Sequence, residues 1–231
     1  MAVDTAPRGI RLSRVLMPVM LGVSVMALAA AVMLPPPWRK ASPVPVEKPA
    51  AIDFPLPAFT LTERSGRPVT KGDLAGKAWV ASFVFTRCTG PCPSVTATMT
   101  RLQAELNLAA EPDLRLVTFT VDPDRDDPAE LTKYAANFRA DPDKWLFLTG
   151  PKSDIHALLN GSFKIAAGPT KNPNPPAGRE IDHSTFLAVV DKSGTVRGYF
   201  DGYQGPNDVG GERYTTRLAD LKRLVARLLK E

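Results

Sequence analysis

The run Ala78-Trp-Val-Ala-Ser-Phe-Val-Phe85 is apolar on both faces of an extended chain, broken only by one serine. A strand with one wet face alternates polar and apolar residues, whereas a strand covered on both sides reads as a nearly continuous hydrophobic stretch. Burial on two sides requires layers packed above and below, so this segment is the central strand of an α/β sandwich.

The flanking sequence supplies those layers. Ala58-Phe-Thr-Leu61 reads as a short strand, and Gly66-Arg-Pro68 as a turn leading to another. Between Ser94 and Ala110, Met99, Leu102, Leu106 and Ala109 recur at helical spacing. Leu114 to Val121 follows as a strand, then Pro128 to Arg139 as a helix with proline at its first position. Leu146-Phe-Leu148 is strand-like, and Ser153 is expected to cap a short helix reaching Leu159. Ala167 to Arg179 reads as irregular. Two strands, Thr185 to Val190 and Val196 to Phe200, flank the turn Asp191-Lys-Ser-Gly194. A last helix from Gly211 to Lys230 sets Leu218, Leu221, Leu224, Val225 and Leu228 on one face. Strand–helix–strand units followed by a hairpin and a covering helix give a mixed sheet.

Before the domain lies a different kind of sequence. Val15 to Leu34 is twenty residues without a charged side chain, the length that crosses a bilayer core as a helix. Arg8, Arg11 and Arg14 precede it, which puts residues 1–14 in the cytoplasm and the folded part outside the cytoplasmic membrane, on the periplasmic side. Ala27-Leu-Ala29 also resembles a cleavage site, but the span is long for a signal peptide, so an uncleaved single-pass anchor is the expectation. Residues 35–53, rich in proline, form a semi-rigid spacer, and residues 54–231 form the domain. A net charge of +5 is modest, and no basic stripe with interleaved aromatics marks a nucleic-acid surface.

Chemistry concentrates just past the central strand. Cys88 and Cys92, the two cysteines of the chain, stand in Phe85-Thr-Arg-Cys-Thr-Gly-Pro-Cys-Pro93. Cys88 falls in a loop and Cys92 in the first turn of the next helix, where the dipole and free N–H groups favour thiolate. Their spacing suits chelation of one ion or closure of a small redox disulfide. An inert staple is the weaker reading, because so short a loop removes little entropy from the unfolded chain. Zinc is weaker still, since structural zinc takes four closed ligands and the chain has two cysteines and two histidines.

His183, in Arg179-Glu-Ile-Asp-His-Ser-Thr-Phe186, precedes the strand starting near Thr185. In a parallel arrangement that strand would neighbour the one ending at Phe85. Two thiolates and an imidazole form a soft set that selects copper over magnesium, calcium or manganese. His156 reads as a residue of a solvated helix face. Asp122 ends a strand, at the edge where open α/β sheets bind ligands.

Phe85-Thr-Arg-Cys-Thr-Gly-Pro-Cys-Pro93, then Thr120-Val-Asp-Pro-Asp-Arg-Asp-Asp-Pro128, then Ile181-Asp-His-Ser184 together resemble the Sco/SenC family of membrane-anchored copper chaperones that assist assembly of the copper A centre of cytochrome c oxidase. The resemblance implies a thioredoxin-like fold and a copper ion, Cu(I) or Cu(II), held by Cys88, Cys92 and His183. It implies an acidic neighbour at Asp122 that tunes the site. The copper-bearing oxidase subunit is the implied partner, and a thioredoxin-like reductant fits the cysteine pair. Family members often carry proline directly after the first cysteine, whereas this chain has Thr89. A second class stays open: an extracytoplasmic thiol–disulfide oxidoreductase that keeps oxidase cysteines reduced. Such enzymes normally separate their cysteines by two residues and face them with a cis-proline; here three intervene and Ser184-Thr185 takes that approach.

Overall fold

A computed structural model describes residues 53–231. The expected anchor at residues 15–34 and nearly all of the spacer lie outside the described residues. No helix among the described residues is long and apolar enough to cross a membrane.

The chain order begins with β1 (Phe54–Pro55), β2 (Thr60–Glu63) and β3 (Pro68–Thr70). A 3₁₀ turn at Lys71–Leu74, closed by a capping box between Thr70 and Asp73, leads into β4 (Ala78–Val84). Then come α1 (Cys92–Glu105), β5 (Leu114–Thr120), α2 (Pro128–Asn137), β6 (Trp145–Thr149) and α3 (Lys152–His156). β7 (Ala167–Pro169), β8 (Ile181–His183), β9 (Phe186–Val190), β10 (Thr195–Asp201) and α4 (Glu212–Leu228) complete the domain.

Eight strands form one mixed sheet in the order β1-β10-β9-β4-β5-β6-β2-β3. The apolar run forms its centre, and every residue of β4 is buried. β4 pairs in parallel with β5, and β5 with β6, as crossover helices require. β9 does neighbour β4, but antiparallel, with Trp79 opposite Val190 and Ala81 opposite Ala188. That corrects the parallel arrangement expected from the sequence, and the difference matters. A parallel β9 would start at the far end of the sheet from Phe85, whereas the antiparallel one starts beside it. The reversal is what brings the chain before Phe186 to the cysteine loop.

Alternation along β4 puts Trp79, Ala81 and Phe83 on one face. There Phe163 fills the layer, with its ring centroid 6.1 Å from Trp79, 5.1 Å from Phe83 and 5.4 Å from Phe119. The long helices interlock through hydroxyl pairs. Thr96 Oγ1 lies 2.7 Å from Tyr134 Oη, joining α1 to α2, and Thr98 Oγ1 lies 2.7 Å from Tyr214 Oη, joining α1 to α4. Within the sheet, Thr118 Oγ1 accepts from Trp145 Nε1 at 2.9 Å and lies 2.9 Å from Ser82 Oγ. These polar atoms therefore satisfy one another in an otherwise apolar core.

Several boundaries move for physical reasons. α1 starts at Cys92, which stands in its first turn as expected, and Pro93 is compatible with that turn. It ends at Glu105 because Asn107 turns to φ +50°, which a helix cannot continue. α3 has Pro151 at its cap and no side-chain cap bond; Ser153 Oγ bonds Asp154 Oδ1 instead, so the expected capping serine does not cap. The segment expected to be irregular contains β7, which pairs with β8 in a separate two-stranded ribbon, Ala167 opposite His183.

Candidate metal centre

The C-terminal ends of β4 and β5 and the N-terminal end of β9 share one edge, the crevice where α/β sheets bind ligands. Cys88 arrives four residues past β4, its N–H donating to Phe85 O at 3.2 Å. Cys92 opens α1 and is fully buried; Cys88 is 8% exposed. His183 ends β8, and its ring stands edge-on to Phe85 with centroids 5.8 Å apart.

These three residues meet. Their donor atoms, Cys88 Sγ, Cys92 Sγ and a His183 ring nitrogen, all lie within 4.8 Å of one another, and both cysteines are free thiols. Cys92 Sγ stands 3.0 Å from His183 Nε2. On the other side of the ring, Nδ1 lies 3.0 Å from Ser184 O. A carbonyl only accepts, so Nδ1 carries the proton and donates, which leaves the Nε2 lone pair aimed at the sulfurs. The backbone thereby fixes the tautomer a ligand needs.

Protonation is divided unequally between the two thiols. Hydrogen bonding from Cys92 is the main influence that lowers the Cys88 thiol to about 4, against the opposing cost of burial; the N–H groups of Cys92 and Gly90 help. The Gly90 N–H donates to Cys88 Sγ at 3.3 Å. Cys92 moves the other way, held protonated by its bond to Cys88 and by burial. The pair thus keeps one proton on Cys92 while Cys88 is a thiolate. Alkylation by iodoacetamide reads this directly, because the thiolate is the reactive form. Since Cys88 titrates near 4, its rate should stay flat from pH 8 to pH 5 and fall only below that. A rate still rising tenfold per unit at pH 7 would contradict the assignment.

Asp122 sits at the same edge, buried, but its carboxylate is not part of the converging donor group. Its Oδ2 lies 3.6 Å from Arg87 Nη2 and 3.3 Å from Arg125 Nη1, so it reaches the cysteine loop through Arg87, the neighbour of Cys88. His156 ends α3 and belongs to no donor cluster among the described residues.

Asp126, four residues on, is the more direct support, and the sequence reading did not single it out. Its buried carboxylate accepts from Thr86 N at 3.1 Å, Thr86 Oγ1 at 2.6 Å and Thr120 Oγ1 at 2.6 Å. Burial raises its pKa, and the three donors act against that. It ties the start of the cysteine loop to the end of β5. Asp126→Ala strands three donors and should cost about 2–3 kcal/mol, lowering Tm by roughly 5–10 °C, while Asp126→Asn keeps an acceptor and loses less. Equal, negligible losses in thermal unfolding would remove this role.

The loop's other flank is built by residues 170–180. Thr89 N donates to Gly178 O at 3.2 Å, and Thr89 Oγ1 donates to Ala177 O at 3.0 Å. Gly178 is buried at φ +77°, and a Cβ there would stand 2.4 Å from Arg87 O. Only glycine fits so close a crossing of two backbones. Between the two loops lies a cleft of about 660 Å³, lined by Cys88, Pro91, Asn172, Arg179, Asp182 and His183 among others.

The protein-family profile described as SCO1/SenC matches residues 51–213 of this chain. The chain belongs to the SCO1/SenC family. It is 34% identical over 154 residues to the SCO1 protein homolog of Bacillus subtilis, covering 66% of this chain and 77% of that one. Among solved structures it is similar to BsSco, described as a member of the Sco family of cytochrome c oxidase assembly proteins with a disulfide switch. That match has a TM-score of 0.62 and 30% identity over 78% of this chain and 95% of the other. It is also similar to Bradyrhizobium japonicum ScoI, solved with copper bound, with a TM-score of 0.56 and 26% identity over 73% of this chain and 98% of the other. The fold is accordingly the thioredoxin-type α/β fold of Sco proteins, as the sequence motifs implied.

Proposed function

We propose that this chain is a copper carrier that loads the copper A centre of cytochrome c oxidase. The observation that carries the reading is the convergence of two sulfurs and an imidazole nitrogen within 4.8 Å. Thiolate and imidazole together suit copper, and hard cations such as magnesium and calcium prefer oxygen. The donor set fits the ion on chemical grounds: one thiol is already ionised, and the ring tautomer leaves its free nitrogen toward the sulfurs. Binding then has to displace the proton of Cys92, so affinity rises with pH. A solved relative holds copper, and another is described as an oxidase assembly protein, which supports both the cargo and the destination.

Copper in this account is cargo. Three protein donors leave a direction open for a donor of the copper-bearing oxidase subunit, so the ion moves by ligand exchange. Asp122 restrains Arg87 beside Cys88 and tunes the charge at the mouth of the site. Residues 15–34 anchor the chain in the cytoplasmic membrane by a single pass. Residues 1–14 stay in the cytoplasm, residues 35–53 act as spacer, and residues 54–231 work outside the cytoplasm. There the cysteines need a thioredoxin-like reductant to stay available.

A second reading, a thiol–disulfide oxidoreductase, draws on the lowered pKa of Cys88, which makes it a ready nucleophile and leaving group. Copper titration of the reduced full-length chain separates the two. A carrier takes one ion per chain and loses it in Cys88→Ser and in Cys92→Ser. Weak, non-stoichiometric binding in the parent chain would leave the oxidoreductase as the better account.

A further inference from the structure

His183 and the cysteines come from segments nearly a hundred residues apart, so something has to hold them together before an ion arrives. Two hydrogen bonds cross that gap, in addition to the Cys92–His183 contact and the packing of the ring on Phe85. Thr89, between the two cysteines, donates its backbone N–H to Gly178 O at 3.2 Å and its hydroxyl to Ala177 O at 3.0 Å. Ala177 and Gly178 lie only six and five positions before His183, in the chain that leads into β8. The crossing is tight: a Cβ on Gly178 would meet Thr89 N at 2.9 Å as well as Arg87 O. Pro91 and Pro176 face the same cleft and limit the freedom of both loops.

We propose that Thr89 is a positioning residue, a clasp that binds the loop before β8 to the cysteine loop and so keeps the His183 ring beside the sulfurs in the metal-free chain. The inference rests on the copper-carrier reading for its biological meaning, but the clasp itself is a property of the apo protein. Its hydroxyl bond is solvent-accessible and contributes about one net hydrogen bond. It acts on how long the ion stays, since loosening a preformed site raises the dissociation rate more than it alters association. Thr89 makes no hydrogen bond to the donor atoms of Cys88, Cys92 or His183.

Three full-length variants test this: Thr89→Val, which keeps shape and N–H but loses the hydroxyl; Thr89→Ser, which restores it; and Gly178→Ala, which forces the loops apart. Two rates are measured on reduced protein: iodoacetamide alkylation of Cys88 without metal, and copper transfer to a chromophoric cuprous chelator. Thr89→Val should raise both by about three- to tenfold, the worth of one hydrogen bond. Gly178→Ala should raise both further, and Thr89→Ser should return to parent values. The apo Tm of Thr89→Val should fall by only roughly 1–6 °C, the loss of one hydrogen bond, so the chain is fully folded where both rates are read. Parent-like rates in Thr89→Val and Gly178→Ala overturn the clasp. If the parent chain holds no stoichiometric copper, the carrier reading falls, and the alkylation rates alone decide the clasp.

Discussion

His183→Ala should cost the reduced chain well over the hundredfold in copper affinity that losing an outer partner of a metal ligand typically costs, because it removes one of three donors. The substitution is selective. The imidazole is only partly buried, its Nδ1 bond is to the next residue's carbonyl, and its aromatic contact is edge-on to Phe85. Truncation should therefore leave the sheet intact and both thiols in place. Competition with a chelator of known affinity gives the loss, and a thermal melt run in parallel checks the fold. The same variant divides the two functional readings, because a disulfide exchanger uses sulfur alone and should tolerate alanine. An affinity within about threefold of the parent would remove His183 from the site.

Oxidation of Cys88 and Cys92 to a disulfide should abolish copper binding outright, the second large effect. The sulfurs stand within 4.8 Å as free thiols, and a bond requires them to close to about 2.05 Å. Once joined, they offer no thiolate to a metal, and the imidazole is left alone. A two-electron oxidant such as diamide takes one electron from each sulfur and is itself reduced to the hydrazine, taking up the released protons. Metal analysis after desalting should find no bound copper on the oxidised chain, and one ion per chain again after dithiothreitol. Stoichiometric copper on fully oxidised protein would contradict the sulfur ligation.

The sequence carried the central strand because burial on both faces leaves a composition that few other structures tolerate, and β4 is buried at every residue. It carried the cysteine positions for a similar reason: a strand end and a helix start leave little choice of place. Strand direction was not legible. Val, Leu and Phe in β9 satisfy a parallel or antiparallel neighbour equally, and only the short connection from β8 settles which end lies beside Phe85. The ribbon of β7 and β8 was hidden because prolines between its strands read as loop, and its three residue pairs are too few for a periodic signal. Among the aspartates of the Thr120–Pro128 run, nothing local distinguishes Asp126, which turns inward to Thr86, from Asp124, which pairs with Lys152 at the surface. Thr89 stood out only as a departure from the family pattern. The structure gives it a use that proline could not serve, since both of its bonds need a hydrogen that proline lacks.

X-ray absorption at the copper edge, on the reduced full-length chain loaded with one equivalent, asks the central question without reference to activity. The expected spectrum fits two sulfur neighbours and one imidazole nitrogen, and the nitrogen contribution vanishes in His183→Ala. A parent spectrum with sulfur neighbours alone, or one that the substitution leaves unchanged, would mean that these three side chains do not share an ion.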